Sequence, residues 1–275
     1  MKSSIVNSIR SLPPLSKTIV DINRVYANEN SSIGDLADVI ELDPMIVANL
    51  LKTANSALYN FSKEIRSVNQ AVSLFGMTMT RSIALGNSMH KLLNVDMKAY
   101  GITSDTFAEI SHLQALLINR WYSKIDKEKA DKLYLAAFLQ ETGKIIISSD
   151  IIQEDEDISF KSEIELSNNI SEVEKTYVGM TSSEVTAEMF KHWGFDDEFV
   201  EMIQYADTPL NASEEIKEYA TALHIVKTVI PINQPLSEQA INFGINAAIK
   251  SGYDERLLQN AINEIVTKIE ISKAN

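Results

Sequence analysis

Gln140, Glu141 and Lys144 fall within the stretch LYLAAFLQETGKIII, Leu133 to Ile147, where a helical pattern gives way to a turn; His112 lies upstream in EISHLQALL. Imidazole and carboxylate groups on neighbouring helices are the groups that hold a catalytic divalent metal, and such a metal brings the pKa of bound water down to about 7. Gln140 offers only a neutral amide oxygen to a metal of this kind. One histidine and one carboxylate fall short of the three or more ligands that hold a catalytic metal. No Gly-rich phosphate loop, HExxH or Ser/His/Asp order occurs elsewhere. The carboxylate pair Asp196-Asp197 before EFVEMI reads as charge at a helix N-terminus rather than as an acid/base dyad.

These residues must be positioned by helices. Apolar side chains recur at helical spacing, glycine and proline are sparse at 9 and 6, and no Asn-Gly or Asp-Gly hairpin signal joins alternating runs. The fold class is therefore all-α. Ser32 with Asp35 and Ser67 with Gln70 resemble capping boxes, and Asp43-Pro44 makes a helix start. Gly76, inside a helical pattern with Val72, Phe75 and Met79 facing inward, is expected to let a neighbouring helix approach closely. Two helices, near Thr106 to Ser123 and Ala130 to Glu141, carry the candidate site. The C-terminal part, Ser237 to Ile271, reads as two amphipathic helices broken at Gly252. The acidic stretch from Asp150 to Glu174 reads as a solvated loop or frayed helix, and as the most mobile internal region.

With 275 residues, 45% hydrophobic and 23% charged, the composition is ordinary for a globular chain and not that of a disordered one. The formal net charge of −13 disfavours a nucleic-acid backbone or anionic bilayer as partner. The absence of cysteine removes disulfides, thiol nucleophiles and zinc-thiolate sites together, and fits a reducing compartment. No signal-peptide or membrane-spanning run occurs, so a cytoplasmic location without membrane insertion is expected.

The succession LPPLSKTIVDIN (Leu12 to Asn23), the Asp43-Pro44 helix leading into LLKTANSALYN (Leu50 to Asn60), and SVNQAVSLFG (Ser67 to Gly76) resembles the HDOD family, bacterial signalling modules related to the HD phosphohydrolases. The likeness covers about Leu12 to Ala206. It implies an HD-like helical bundle with an N-terminal lobe over 1–100, a degenerate HD-like lobe over 101–210 and accessory C-terminal helices over 211–275. An intact HD site, as the resemblance implies it, has a first histidine that His112 matches. Gln140-Glu141 replace the His-Asp pair, Ser182 stands where a downstream histidine is expected, and Tyr205-Ala206 stand where a histidine pair would precede Thr208-Pro209. Gly143-Lys144 fits the family's turn after the lost pair, with the glycine in left-handed conformation closing a helix and the lysine complementing its dipole.

The expectation is a non-catalytic signalling or regulatory module, without cofactor or metal, whose output runs through a protein partner. Asn55, Ser56, Tyr59, Arg66 and Arg81 are the candidate interaction residues. By their chemistry Asn55 and Ser56 suit helix-end hydrogen bonds, and the two arginines suit an anionic ligand or a neighbouring carboxylate. Two rivals stand beside this reading. One is a small-ligand or nucleotide sensor using the former HD pocket, with His112, Glu141 and Lys144 as contacts; the other is a metal-dependent phosphohydrolase with a rearranged site.

Overall fold

In the computed structural model, residues 3–274 are described apart from Ala57, Asn60, Ser62 and Asn94, of which Ala57 and Asn60 belong to the LLKTANSALYN motif. Every regular element among the described residues is helical. None of these helices is long and apolar enough to cross a membrane. The chain divides into two units, residues 14–92 with 262–275, and residues 1–13 with 93–261.

The first of these units is built on helices Lys17–Ala27, Ile33–Glu41 and Pro44–Ala54, each packing on the next. Their starts follow from local chemistry. Ser32 Oγ accepts from Asp35 N while the Asp35 carboxylate accepts from Ser32 N at 2.7 Å, and Asp43 Oδ1 accepts from Met45 N and Ile46 N at 3.0 and 3.2 Å. These bonds satisfy amides that the first helical turn leaves unpaired. In the Val68–Leu93 helix, Gly76 has φ 75° and ψ 175°, which breaks the helical path. A Cβ there would meet nothing within 4 Å, so Gly76 serves a backbone conformation that other residues resist and not the close helix approach expected from sequence.

The larger unit centres on Ser104–Tyr122 and Lys127–Leu139, an antiparallel pair with nearly every residue of their facing turns buried. Gly143–Gln153 packs on Ser182–His192, and Lys217–Val229 packs on both members of the central pair and on Asp197–Gln204. Residues 211–261 fall within this unit, and the Lys217–Val229 face of Leu223, Val226 and Val229 is buried. The stretch expected to be a solvated loop or frayed helix forms two helices, Asp157–Leu166 and Ile170–Val178, which bury Phe160, Ile164, Val173 and Val178. Each helix buries one apolar edge, Phe160 with Ile164 one turn on and Val173 with Val178, and that burial outweighs the surrounding carboxylates.

Candidate functional site

Five segments of the larger unit deliver charged side chains to one buried cluster. The turn after Lys127–Leu139 supplies Glu141, and the first turn of Gly143–Gln153 supplies Lys144. Ile170–Val178 contributes Glu174, and Lys217–Val229 contributes Lys227 opposite Asp207. Glu141, Lys144 and Glu174 are each no more than 1% exposed.

Gly143 makes this arrangement possible. It lies at the first position of its helix, and a Cβ on it would come within 2.4 Å of Ser182 O and 2.7 Å of Thr186 N. Its amide donates to Thr186 Oγ1 at 2.8 Å, and the same hydroxyl lies 2.7 Å from Ser182 O and 3.1 Å from Gln140 O. The left-handed helix cap expected from sequence is thus replaced by a helix-to-helix contact that only glycine permits. Ser182 is brought against Lys144 as a result.

The Lys144 ammonium donates to Glu174 Oε1 and, at 2.9 Å, to Ser182 Oγ; it lies 3.3 Å from Glu141 Oε2 and 5.2 Å from the centre of the Tyr100 ring. Glu174 accepts further bonds from Tyr100 OH at 3.0 Å and Ser182 N at 2.6 Å. Burial and then the Glu174 carboxylate hold the Tyr100 phenol well above its usual pKa. Lys227 Nζ lies 2.8 Å from Asp207 Oδ1, 3.0 Å from Ser183 Oγ, 3.3 Å from Ser182 Oγ and 3.9 Å from Glu141 Oε2. Burial alone would raise the Asp207 pKa, but the Lys227 ammonium, with Lys144 behind it, holds it well below the usual carboxylate range. Lys227 is shifted the other way: burial opposes its charge, and Asp207, Glu141 and Glu174 together hold the proton more tightly than in a free lysine.

A layer of amides closes the cluster on the side of Ser104–Tyr122. Gln114 Nε2 donates to Glu141 Oε1 at 3.1 Å and to Ile230 O at 2.9 Å, and its Oε1 accepts from Gln140 Nε2 at 2.8 Å. Sequence reasoning singled out His112 on this helix. Its ring packs edge-on against Phe138 with centroids 4.7 Å apart, and Gln114, two positions on, donates to Glu141. Tyr205 caps Asp197–Gln204 and is half-buried; the residue of that turn that joins the ions is Asp207.

The structure thus gathers Gln140, Glu141, Lys144 and Ser182 of the expected pocket. Tyr100, Gln114, Glu174, Asp207 and Lys227 were missed, although two of them carried a signal. Glu174 is flanked by Ile170, Val173 and Val178, and Lys227 by Leu223, Val226 and Ile230. A charge inside an apolar stripe implies a buried partner.

This donor set does not suit a divalent metal. The carboxylates are engaged by two ammonium groups, hydroxyls and amides, and a metal ion seated among them would face both cations. Among the described residues no group of three or more histidine, cysteine or carboxylate side chains could hold one.

Over the cluster lies a cleft of about 610 Å³, lined by Glu141, Lys144, Asp207, His224 and Lys227 together with residues of 165–171 and 231–247. His224, part-buried, lies with Nδ1 2.9 Å from Ala206 O.

The candidate interaction residues belong to the smaller unit. Asn55 clamps a loop: Nδ2 donates to Leu51 O and Ile65 O at 2.9 and 2.8 Å, and Oδ1 accepts from Ile65 N at 2.8 Å. Ser56 continues the helix end by donating N–H to Thr53 O and accepting from Tyr59 N. Tyr59 is buried, its ring edge-on to Phe75 at 4.8 Å. Arg81 donates to Asn23 Oδ1 at 2.8 Å and lies over the Tyr26 ring. Arg66 alone of the five presents its charge at the surface, paired with exposed Glu64 at 2.7 Å. The loop that Asn55 holds and the start of Val68–Leu93 form a groove of about 530 Å³, lined in part by Phe61, Ile65, Gln70 and Leu74.

Residues 12–209 match the family described as HDOD domain. A curated relative, an uncharacterized protein of Treponema pallidum (strain Nichols), is 20% identical over 224 residues, 79% of this chain and 42% of that protein. The chain therefore spans less than half the length of that relative. Among solved structures, a virulence factor from Campylobacter jejuni subsp. jejuni is 26% identical, with 95% of this chain and 97% of that chain covered and a TM-score of 0.58. A protein of Marinobacter aquaeolei VT8, provisionally named for signal transduction, matches at 22% identity, 100% and 61% coverage and a TM-score of 0.70. One from Shewanella amazonensis SB2B, provisionally named a phosphohydrolase, matches at 18% identity, 98% and 97% coverage and a TM-score of 0.67. The last two likenesses concern the fold alone.

Proposed function

Because this chain belongs to the HDOD domain family, we propose that it works as a signalling module without hydrolytic catalysis, delivering its output to a protein partner. One observation carries the non-catalytic reading: the ammonium groups of Lys144 and Lys227 lie among Glu141, Glu174 and Asp207 at the position where the family relationship would put a metal site. These cations neutralise the carboxylates from within the protein. They cannot lower the pKa of a bound water as a divalent metal does.

Docking falls to the groove of the smaller unit. Asn55 and Tyr59 shape it from inside, while Arg66 and Leu74 face outward, Leu74 being 50% exposed. An apolar floor with an arginine at its edge is the composition in which interface hot spots concentrate. The test is capture of partners by the full chain from its native lysate. The double variant Arg66→Ala/Leu74→Ala should lose the captured partner with its melting temperature unchanged. Capture equal to that of the unsubstituted chain would refute the assignment.

A second reading, a small-ligand sensor, is favoured by the 610 Å³ cleft that opens on the buried ions. It is compatible with partner binding through the other unit.

A further inference from the structure

The cleft has a charged floor and an apolar wall. Phe243, on the helix Glu238–Lys250, is 46% exposed and Leu166 is 84% exposed, and both line the cleft with Pro231. Apolar side chains left open beside convergent polar groups give the body of a small molecule a contact surface.

The hydrogen-bond inventory of the floor selects the head group. An ammonium has three N–H donors and no acceptor. Those of Lys144 have Glu174, Ser182 and Glu141 around them, and those of Lys227 have Asp207, Ser183 and Ser182. Each ammonium is thus ringed by protein acceptors, with Glu141 paired to both as an ion and not through a hydrogen bond. The unused capacity is an acceptor: Glu141 Oε2 is buried and accepts no hydrogen bond, although the two ammonium nitrogens lie 3.3 and 3.9 Å away. A buried carboxylate oxygen without a hydrogen bond is costly, and a ligand that supplies the donor recovers that cost. Three carboxylates face two ammonium groups here.

We propose that this cleft binds a small organic cation, a primary amine or amidinium on an apolar or aromatic body, whose N–H groups bond Glu141 while its body lies against Phe243. The proposal rests on the sensor reading and is independent of the partner groove.

Calorimetric titration of the full chain with phenethylamine and benzamidine tests it, with 3-phenylpropionate and adenosine monophosphate as anionic comparators. Saturable binding of at least one cation is expected, weakened about tenfold or more in both Phe243→Ala and Glu141→Gln, with no binding of phenylpropionate. Phe243 is half in solvent, so its replacement leaves the fold intact, and Glu141→Gln is used only if it melts cooperatively. Binding of an anion in place of the amines would overturn the cation assignment while leaving a sensor. Cation binding unchanged in Phe243→Ala would overturn the site, and no binding of any probe at millimolar concentration would remove both the inference and the sensor reading.

Discussion

The ammonium of Lys144 and the carboxylate of Glu174 form an ion pair from which solvent is excluded on both sides, with Tyr100 OH and the Ser182 amide completing the bonds to Glu174. Removing one partner of such a pair leaves an uncompensated charge in a low-dielectric setting, which costs about 3–5 kcal/mol. Lys144→Met should lose that much stability in urea denaturation, and Lys144→Met/Glu174→Gln should lose less than the sum of its single changes. A loss in Lys144→Met no larger than the ~1 kcal/mol typical of exposed pairs such as Arg66 with Glu64 would contradict the burial described.

Gly143 offers a steric test of the same architecture. Gly143→Ala drives a methyl group into Ser182 O and Thr186 N, backbone atoms that can move only if their helix moves. Overpacking of this kind costs about 1–3 kcal/mol. A neutral or stabilising alanine, as helix propensity alone would give, would show that the two helices are further apart than described.

Acid sensitivity follows from Asp207. Its folded pKa is held below the ordinary 3.8, so the stability it contributes is fully present above the unfolded value and is lost as pH falls toward the folded one. Between neutral pH and about 4 the stabilities of the unsubstituted chain and Asp207→Asn should run parallel; below that the former should fall more steeply. Lys227, whose folded pKa is raised, contributes in the opposite sense, its share being complete below its ordinary 10.5 and lost as pH rises through the folded value. An acid limb that is equally steep in Asp207→Asn would refute the assignment.

Segment 170–178 should behave as core. Amide hydrogen exchange read by mass spectrometry is expected to show protection there comparable to Ser182–His192, because Glu174 bonds the Ser182 amide at 2.6 Å. Rapid exchange across 170–178 would restore the solvated-segment reading of this acidic stretch.

That stretch shows what the sequence conceals. Its nine carboxylates and one lysine dominate a reading by charge, yet the positions of Phe160, Ile164, Val173 and Val178 decide its fold. The all-helical class, the Ser32–Asp35 cap and the Asp43-Pro44 start were legible because each depends on residues within one turn of each other. Gln140, Glu141, Lys144 and Ser182 were found through the family motif. Gln114, Asp207 and Lys227 were not, since their partners lie 27, 20 and 86 residues away in the chain, beyond what local pattern encodes. Gly76 and Gly143 were each given the other's role: sequence marks a glycine's place but not whether it serves a positive φ or a close approach.

Whether Lys144 and Lys227 supplant a metal is settled most directly by metal stoichiometry. The purified full chain would be incubated with manganese, ferrous iron or zinc, desalted, and its metal content measured by inductively coupled plasma mass spectrometry. The buried ammonium pair requires occupancy far below one ion per chain for each metal, with no difference between the unsubstituted chain and Glu141→Gln. Near-stoichiometric metal that disappears in Glu141→Gln would mean that the carboxylates hold a metal after all, and the non-catalytic assignment would fall with it.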